Sequence, residues 1–163
     1  MRKLPMLFFG GKDSHTFMHF DIDLANLFHF HFEGQKECML LPQSESKHLY
    51  KIPHSLITHE SIDFANPDFE KWPALKNANG YRTHLNHGEV LYIPEGYWHY
   101  MKYITPGFSM SLRSLAKNPK NLFSAFFNVF VMRNYDGLMR KMKGQKWIDW
   151  KNEQAILRTN GSI

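Results

Sequence analysis

HFDIDLANLFHFHFEG, residues 19–34, decides the fold class, because its second half alternates without a break. In LFHFHF (27–32), Leu27, His29 and His31 fall on one side of an extended chain and Phe28, Phe30 and Phe32 on the other. A helix would scatter these residues around its circumference, whereas a strand sorts them into two faces. Gly34 then turns the chain into KECMLL (36–41), a second apolar run that Pro42 ends. Upstream, TFMHFD (16–21) reads as another short strand. LPMLFF (4–9) reads as a first strand, closed by Gly10-Gly11.

After a long interruption the rhythm returns. YRTHL (81–85), HGEVLYIP (87–94), YWHYMKYI (97–104) and GFSMSLR (107–113) are strand-like and separated by Gly and Pro turns, which makes eight short strands in all. Residues 43–82 lose the pattern in sequence rich in Pro, Asn, Ser and Asp, with room for one helical turn near 67–77. From about residue 119 the period becomes helical: Leu122, Phe123, Phe126, Phe127, Phe130, Val131, Leu138, Met139 and Met142 recur at that spacing. Gly137 and Gly144 punctuate the run, and WIDWKNEQAIL suggests a last helix. Eight strands in this rhythm suggest a barrel or double-sheet jelly roll. The expected division is a barrel over 1–116 and a helical extension over 117–163. The helices must cover either the outer face of a sheet, with Phe28, Phe30 and Phe32 packed beneath them, or a second copy of the chain.

Composition narrows the class further. A chain of 163 residues is one domain's worth, and 43% hydrophobic with 15% aromatic residues is ample for a core. The 14 Phe and 7 Tyr favour strands over a helical bundle. A lone cysteine, Cys38, excludes a disulfide framework and a multi-cysteine zinc site and fits a reducing cytoplasm. No apolar run reaches the roughly 18 residues of a membrane span. The start MRKLPMLFFGG has too short an apolar stretch, and no small-residue cleavage site, for a signal peptide. The net charge of +5 is concentrated in the tail, at residues such as Lys117, Lys120, Arg133, Arg140, Lys141 and Lys143. With no Arg-rich run or base-stacking pattern, a solvated helical face is favoured over nucleic-acid binding.

The chemistry begins at His19-x-Asp21. On a strand, positions i and i+2 share a face, so an imidazole and a carboxylate converge there. One more histidine brought alongside completes a two-His-one-carboxylate face with open positions on an iron(II) ion. The ten histidines offer several choices, of which His99 in LYIPEGYWHYM is the best placed. The alternative reading of His19 and Asp21 is a structural hydrogen-bonded pair. Asp23 reads as an acid at a strand end. His29 and His31 either line the interior near the metal or are satisfied core histidines. His15, His84 and His87 read as solvent-exposed, and Cys38 as buried core.

TFMHFD at 16–21, EGQKECMLLP at 33–42, LYKIP at 49–53, DFANPDFEKWPAL at 63–75 and HGEVLYIPEGYWH at 87–99 together resemble the cupin-like JmjC hydroxylases. That group includes the asparaginyl hydroxylase of hypoxia-inducible factor and the tRNA wybutosine hydroxylase. The resemblance spans roughly residues 5–115. It implies a double-stranded β-helix holding Fe(II) and 2-oxoglutarate, with His19, Asp21 and His99 as metal ligands. It also implies that Lys36 pairs with the far carboxylate of 2-oxoglutarate and that Thr16 hydrogen-bonds the same carboxylate, with Asn26 at the family's pocket asparagine. The implied activity is hydroxylation of a protein side chain, a nucleoside or a small molecule, and the implied partner is a second copy of the chain, through the C-terminal helices.

The chain departs from the family in three ways. The expected form is one without the long N-terminal portion that supplies part of the pocket wall in the relatives, so that the chain reads as a fragment, a truncated product or a reduced form. One or two extra residues lie between Asp21 and Gly34. Arg113 stands where those enzymes tend to carry an asparagine. Two other readings follow from these departures and from the extra histidines. One is a non-catalytic metal- or ligand-binding module, or a truncated remnant. The other is a zinc or nickel cupin in which His29 or His31 joins the coordination sphere.

Overall fold

The computed structural model describes residues 5–161, so Leu4 of the first expected strand lies outside the described residues. Among the described residues, seven strands form two antiparallel sheets: β1 (Met6–Gly10), β2 (Asn26–Glu33), β3 (Lys36–Leu41), β4 (Tyr81–Leu85), β5 (Val90–Ile93), β6 (Trp98–Tyr103) and β7 (Gly107–Ser114). One sheet has the order β1-β7-β2-β5 and the other β4-β3-β6. The expected strand at 16–21 is shorter and more irregular than its sequence suggests. Residues 13–19 run along the free edge of β6 through backbone bonds such as Thr16 N–H to the Met101 carbonyl at 2.9 Å, with bridges at His15 and His19. This segment extends the smaller sheet, and the two sheets face each other as the double-stranded β-helix that the family resemblance implies.

Each strand distributes its residues by pleat. On β2, Leu27, His29 and His31 are buried between the sheets while Phe28 and Phe32 are exposed outside. On β3 both faces are buried: Lys36, Cys38 and Leu40 look inward, and Met39 and Leu41 look outward under the 43–78 excursion. The inner core joins Leu27, Cys38, Leu40, Leu85, Ile93 and Met101. The outer core packs Trp98 and Tyr100 of β6 against Tyr50, Trp72 and Leu75 of the excursion. Trp98, fully buried, meets Phe20 edge-on at 4.8 Å, and its indole N–H donates to Ser46 Oγ at 2.8 Å. The stretch with no readable motif is therefore the cover of the smaller sheet, held by two 3-10 helices at Gln43–His48 and Pro73–Asn77.

Glycine is required where β2 and β7 end together. A Cβ on Gly107 would stand 1.9 Å from the Glu33 carbonyl oxygen, beside an irregularity in the β2–β7 register between His31 and Glu33. Gly34, with φ +84, makes the turn into β3 in the left-handed region.

After the barrel come α1 (Pro119–Phe127), a π-helical turn (Asn128–Met132), α2 (Arg133–Lys143) and α3 (Gln145–Asn160). The Asn118 side chain caps α1 by accepting from the Lys120 N–H. Asp136 of α2 clasps α3 by accepting from Trp147 Nε1 at 2.8 Å and from the buried Lys151 Nζ at 2.7 Å. α3 packs on the excursion, where Tyr50 Oη donates to Asn160 Oδ1 at 2.7 Å. The helices do not cover the Phe28-Phe30-Phe32 face, which corrects that expectation. Phe28 lies against Tyr92 and Phe32 against Phe108, on a sheet face that stays open. Leu122, Phe123, Phe126, Phe127, Phe130 and Leu138 on the helices are likewise exposed.

Candidate metal centre

His19 and His99 meet because their backbones pair. The His19 N–H donates to the His99 carbonyl at 3.1 Å and the His99 N–H to the His19 carbonyl at 2.7 Å. Such a doubly bonded antiparallel pair sends both side chains to one face, and here the ring centroids lie 4.1 Å apart. Beyond Phe20 the chain tightens: the Leu24 N–H donates to the Asp21 carbonyl at 3.0 Å, with Leu24 at φ +48. This turn leaves Asp21 at the same opening. His19, Asp21 and His99 each offer a ligand atom, and the three atoms lie within 4.8 Å of one another.

Hydrogen bonds choose the ligand atoms. Nδ1 of His19 is 2.7 Å from the Phe17 carbonyl and Nδ1 of His99 is 3.2 Å from the Tyr97 carbonyl. A carbonyl only accepts, so each Nδ1 carries the proton and each Nε2 keeps its lone pair for a metal. Burial, helped by His19, pushes the His99 imidazole down to about 3, so it is neutral and ready to coordinate at physiological pH. Burial also raises the Asp21 carboxyl, against the opposing pull of Arg113. Asp21 Oδ2 is buried without a hydrogen bond among the described residues. Arg113 Nη2 stands 3.1 Å from it but donates to Asp23 Oδ1, so Asp21 has a nearby charge and no directed bond. An orphaned carboxylate oxygen facing two imidazole lone pairs fits a divalent cation.

The trio opens on a cavity of about 240 Å³ whose walls include Phe8, Leu27, Ile93 and Met101, with Thr16, His29, Ser111 and Arg113 as polar lining. A second cavity of about 320 Å³ adjoins it, sharing Phe8, Thr16 and Met101, and is lined by Lys36 and Tyr103. Lys36 is 2% exposed and pairs with no carboxylate among the described residues. Its Nζ lies 3.1 Å from His29 Nε2 and 4.1 Å from the centre of the Tyr103 ring. Burial lowers its ammonium to about 8. Thr16 Oγ1 accepts from the Met101 N–H at 3.2 Å, at the seam between the two cavities.

Asn26 is the exception among the expected site residues. It shares the outward face of β2 with Phe28, and its Oδ1 accepts from Tyr92 Oη at 2.6 Å, away from the cavity. Pleat parity explains the correction: a shift of one residue moves a side chain to the opposite face. His29 and His31 are buried and bonded through Nδ1 to Ser111 and Ser109, each at 2.7 Å, and lie outside the metal trio. Burial pushes His29 down to about 3. His15, His84 and His87 are exposed, and Cys38 is buried, as expected. Ser109 and Ser111 were missed; with Arg113 they alternate along FSMSLR, a polar inward face within an apolar strand that a period-two reading picks out.

A double-stranded β-helix with a His-x-Asp…His face at its open end defines the class. The pattern of the family described as Cupin-like domain matches residues 2–141, and the chain belongs to the cupin-like JmjC family, which includes 2-oxoglutarate oxygenases and generally binds Fe(II). It is 35% identical over 103 residues to JmjC domain-containing protein D of Dictyostelium discoideum, covering 62% of this chain and 22% of that protein. Human HSPB1-associated protein 1 is 32% identical over 103 residues, 61% of this chain and 21% of that protein. JmjC domain-containing protein F of Dictyostelium discoideum is 29% identical over 130 residues, 69% of this chain and 27% of that protein. The chain thus spans about a fifth to a quarter of these relatives' length. No helix among the described residues is long and apolar enough to cross a membrane.

Proposed function

We propose that the protein is an Fe(II)- and 2-oxoglutarate-dependent oxygenase that hydroxylates a C–H bond of a protein side chain, a nucleoside or a small molecule. The observation that carries this reading is the meeting of two imidazole lone pairs and the orphaned Asp21 oxygen at one cavity, with Lys36, a buried ammonium that has no carboxylate partner among the described residues, in the next. Bound iron and 2-oxoglutarate supply the oxidising chemistry.

The chain's own residues bind, orient and exclude water. His99 is neutral, and Nδ1 of each imidazole faces a carbonyl, which leaves Nε2 as the atom that would coordinate. Asp21 brings the one negative charge of the trio. Lys36, kept in place by His29 and Tyr103, would neutralise the far carboxylate of 2-oxoglutarate, and the Thr16 hydroxyl would donate to the same group. Phe8, Leu27, Ile93 and Met101 keep water from the reacting centre. The proposed location is the cytoplasm, in keeping with the single free thiol. The proposed partner, besides the substrate, is a second copy meeting the exposed apolar helix face around Phe126 and Phe130.

The test is turnover of 2-oxoglutarate by the iron-loaded protein. Carbon dioxide release that disappears in Asp21→Ala and His99→Ala supports the oxygenase. Metal uptake without any release, with or without candidate substrates, would leave a binding module instead.

A further inference from the structure

Arg113 is where the chain departs most sharply from a plain metal site. Its guanidinium, 28% exposed, reaches from β7 into the metal cavity and lies between two carboxylates set two residues apart. It donates to Asp23 Oδ1 and stands 3.1 Å from Asp21 Oδ2, while among the described residues Nε is buried without a partner and Nη1 meets only Met6 Sδ, at 3.8 Å. The directed bond thus goes to the more exposed acid, while the metal ligand receives only charge.

We propose that Arg113 is a built-in competitor for the divalent cation at Asp21, and that Asp23 is the carboxylate that keeps the guanidinium aside when the ion binds. The inference rests on reading His19, Asp21 and His99 as metal ligands. Arginine keeps its charge at every working pH, so the competition is permanent. In a site partly closed to water, a guanidinium and a divalent ion sharing one carboxylate repel strongly enough to change affinity about tenfold or more. Asp23 offsets part of that repulsion and draws the guanidinium away from Asp21. Arg113 and Asp23 are therefore positioning residues that set metal affinity below what the trio alone would give, which keeps the ion exchangeable.

The experiment is calorimetric titration of Mn(II) into the metal-free full chain, with circular dichroism to verify folding. Arg113→Asn is expected to bind Mn(II) about tenfold or more tightly than the native chain, and Asp23→Asn about tenfold more weakly. The double variant, which has lost one charge of each sign, is expected to return close to the native affinity. Asp23→Asn changes almost no volume and carries the test if Arg113→Asn does not fold. Native affinity in Asp23→Asn, or weaker binding in a folded Arg113→Asn, overturns the inference while leaving the metal centre standing. A folded native chain that takes up no Mn(II) removes the metal reading, and this inference with it.

Discussion

Replacing Lys36 with methionine should make the cosubstrate-free protein more stable. The ammonium is buried, faces a neutral imidazole, and has no carboxylate partner among the described residues. Burial lowers it from 10.5 to about 8, which corresponds to a penalty of about 3 kcal/mol for keeping it charged at neutral pH. Methionine fills similar space without the charge but leaves His29 Nε2 without its partner, a loss of about 1 kcal/mol. The net gain is about 2 kcal/mol, or roughly 4–8 °C in Tm for a domain of this size. The sign of the pH dependence follows from the same shift. Below pH 8 the amine is charged in both states and the penalty is complete. Between 8 and 10.5 the unfolded chain holds the proton more tightly, so the native protein gains stability as pH rises. Above 10.5 the penalty is gone. Melting curves by circular dichroism from pH 7 to 10.5 should show the variant ahead at pH 7 and the gap closing. With Mn(II) already present, adding 2-oxoglutarate should stabilise the native chain much more than the variant. A variant that melts lower at pH 7, or a gap that does not narrow with pH, would refute the unpaired ammonium.

Other expectations concern different parts of the molecule. His29→Ala should weaken 2-oxoglutarate binding about tenfold and leave Mn(II) affinity within about twofold, because the lost contact is to Lys36 and not to the trio; equal losses in both titrations would argue against it. Gly107→Ala should cost about 3 kcal/mol or more, seen as a lower denaturant midpoint, since the added methyl meets the Glu33 carbonyl. Phe126→Glu combined with Phe130→Glu should leave Tm within about 2 °C while light scattering moves from dimer to monomer, both rings being exposed on the single chain. A monomeric native protein would remove the proposed second copy.

Much of the barrel could be read directly, because its strands carry a strict period of two. LFHFHF sorted its imidazoles inward and its phenylalanines outward, as the structure has them. What covers each face could not be read. Periodicity marks a face as apolar, yet the helices leave the Phe28 side open, and the unpatterned excursion covers the smaller sheet instead. The same limit appears at the site. His19 and Asp21 are near neighbours in sequence, but the serines that fix His29 and His31 come from a strand about eighty positions away. Asn26 shares the outward pleat of β2 with Phe28 and bonds Tyr92, and a one-position choice of register, which the sequence does not display, decides that face. Arg113 is visible in sequence as a departure from the family's asparagine, but its two carboxylate neighbours emerge only when β7 lies beside β2.

The most direct measurement is anaerobic absorption spectroscopy of the full chain titrated with Fe(II) and then 2-oxoglutarate. An Fe(II) ion chelated by a 2-oxo acid absorbs visible light by metal-to-ligand charge transfer. The expected result is a visible band that saturates at one equivalent of iron and is absent in Asp21→Ala. A folded native protein that gives no band at saturating iron and 2-oxoglutarate, or an Asp21→Ala variant that keeps the band unchanged, would contradict the assignment of His19, Asp21 and His99.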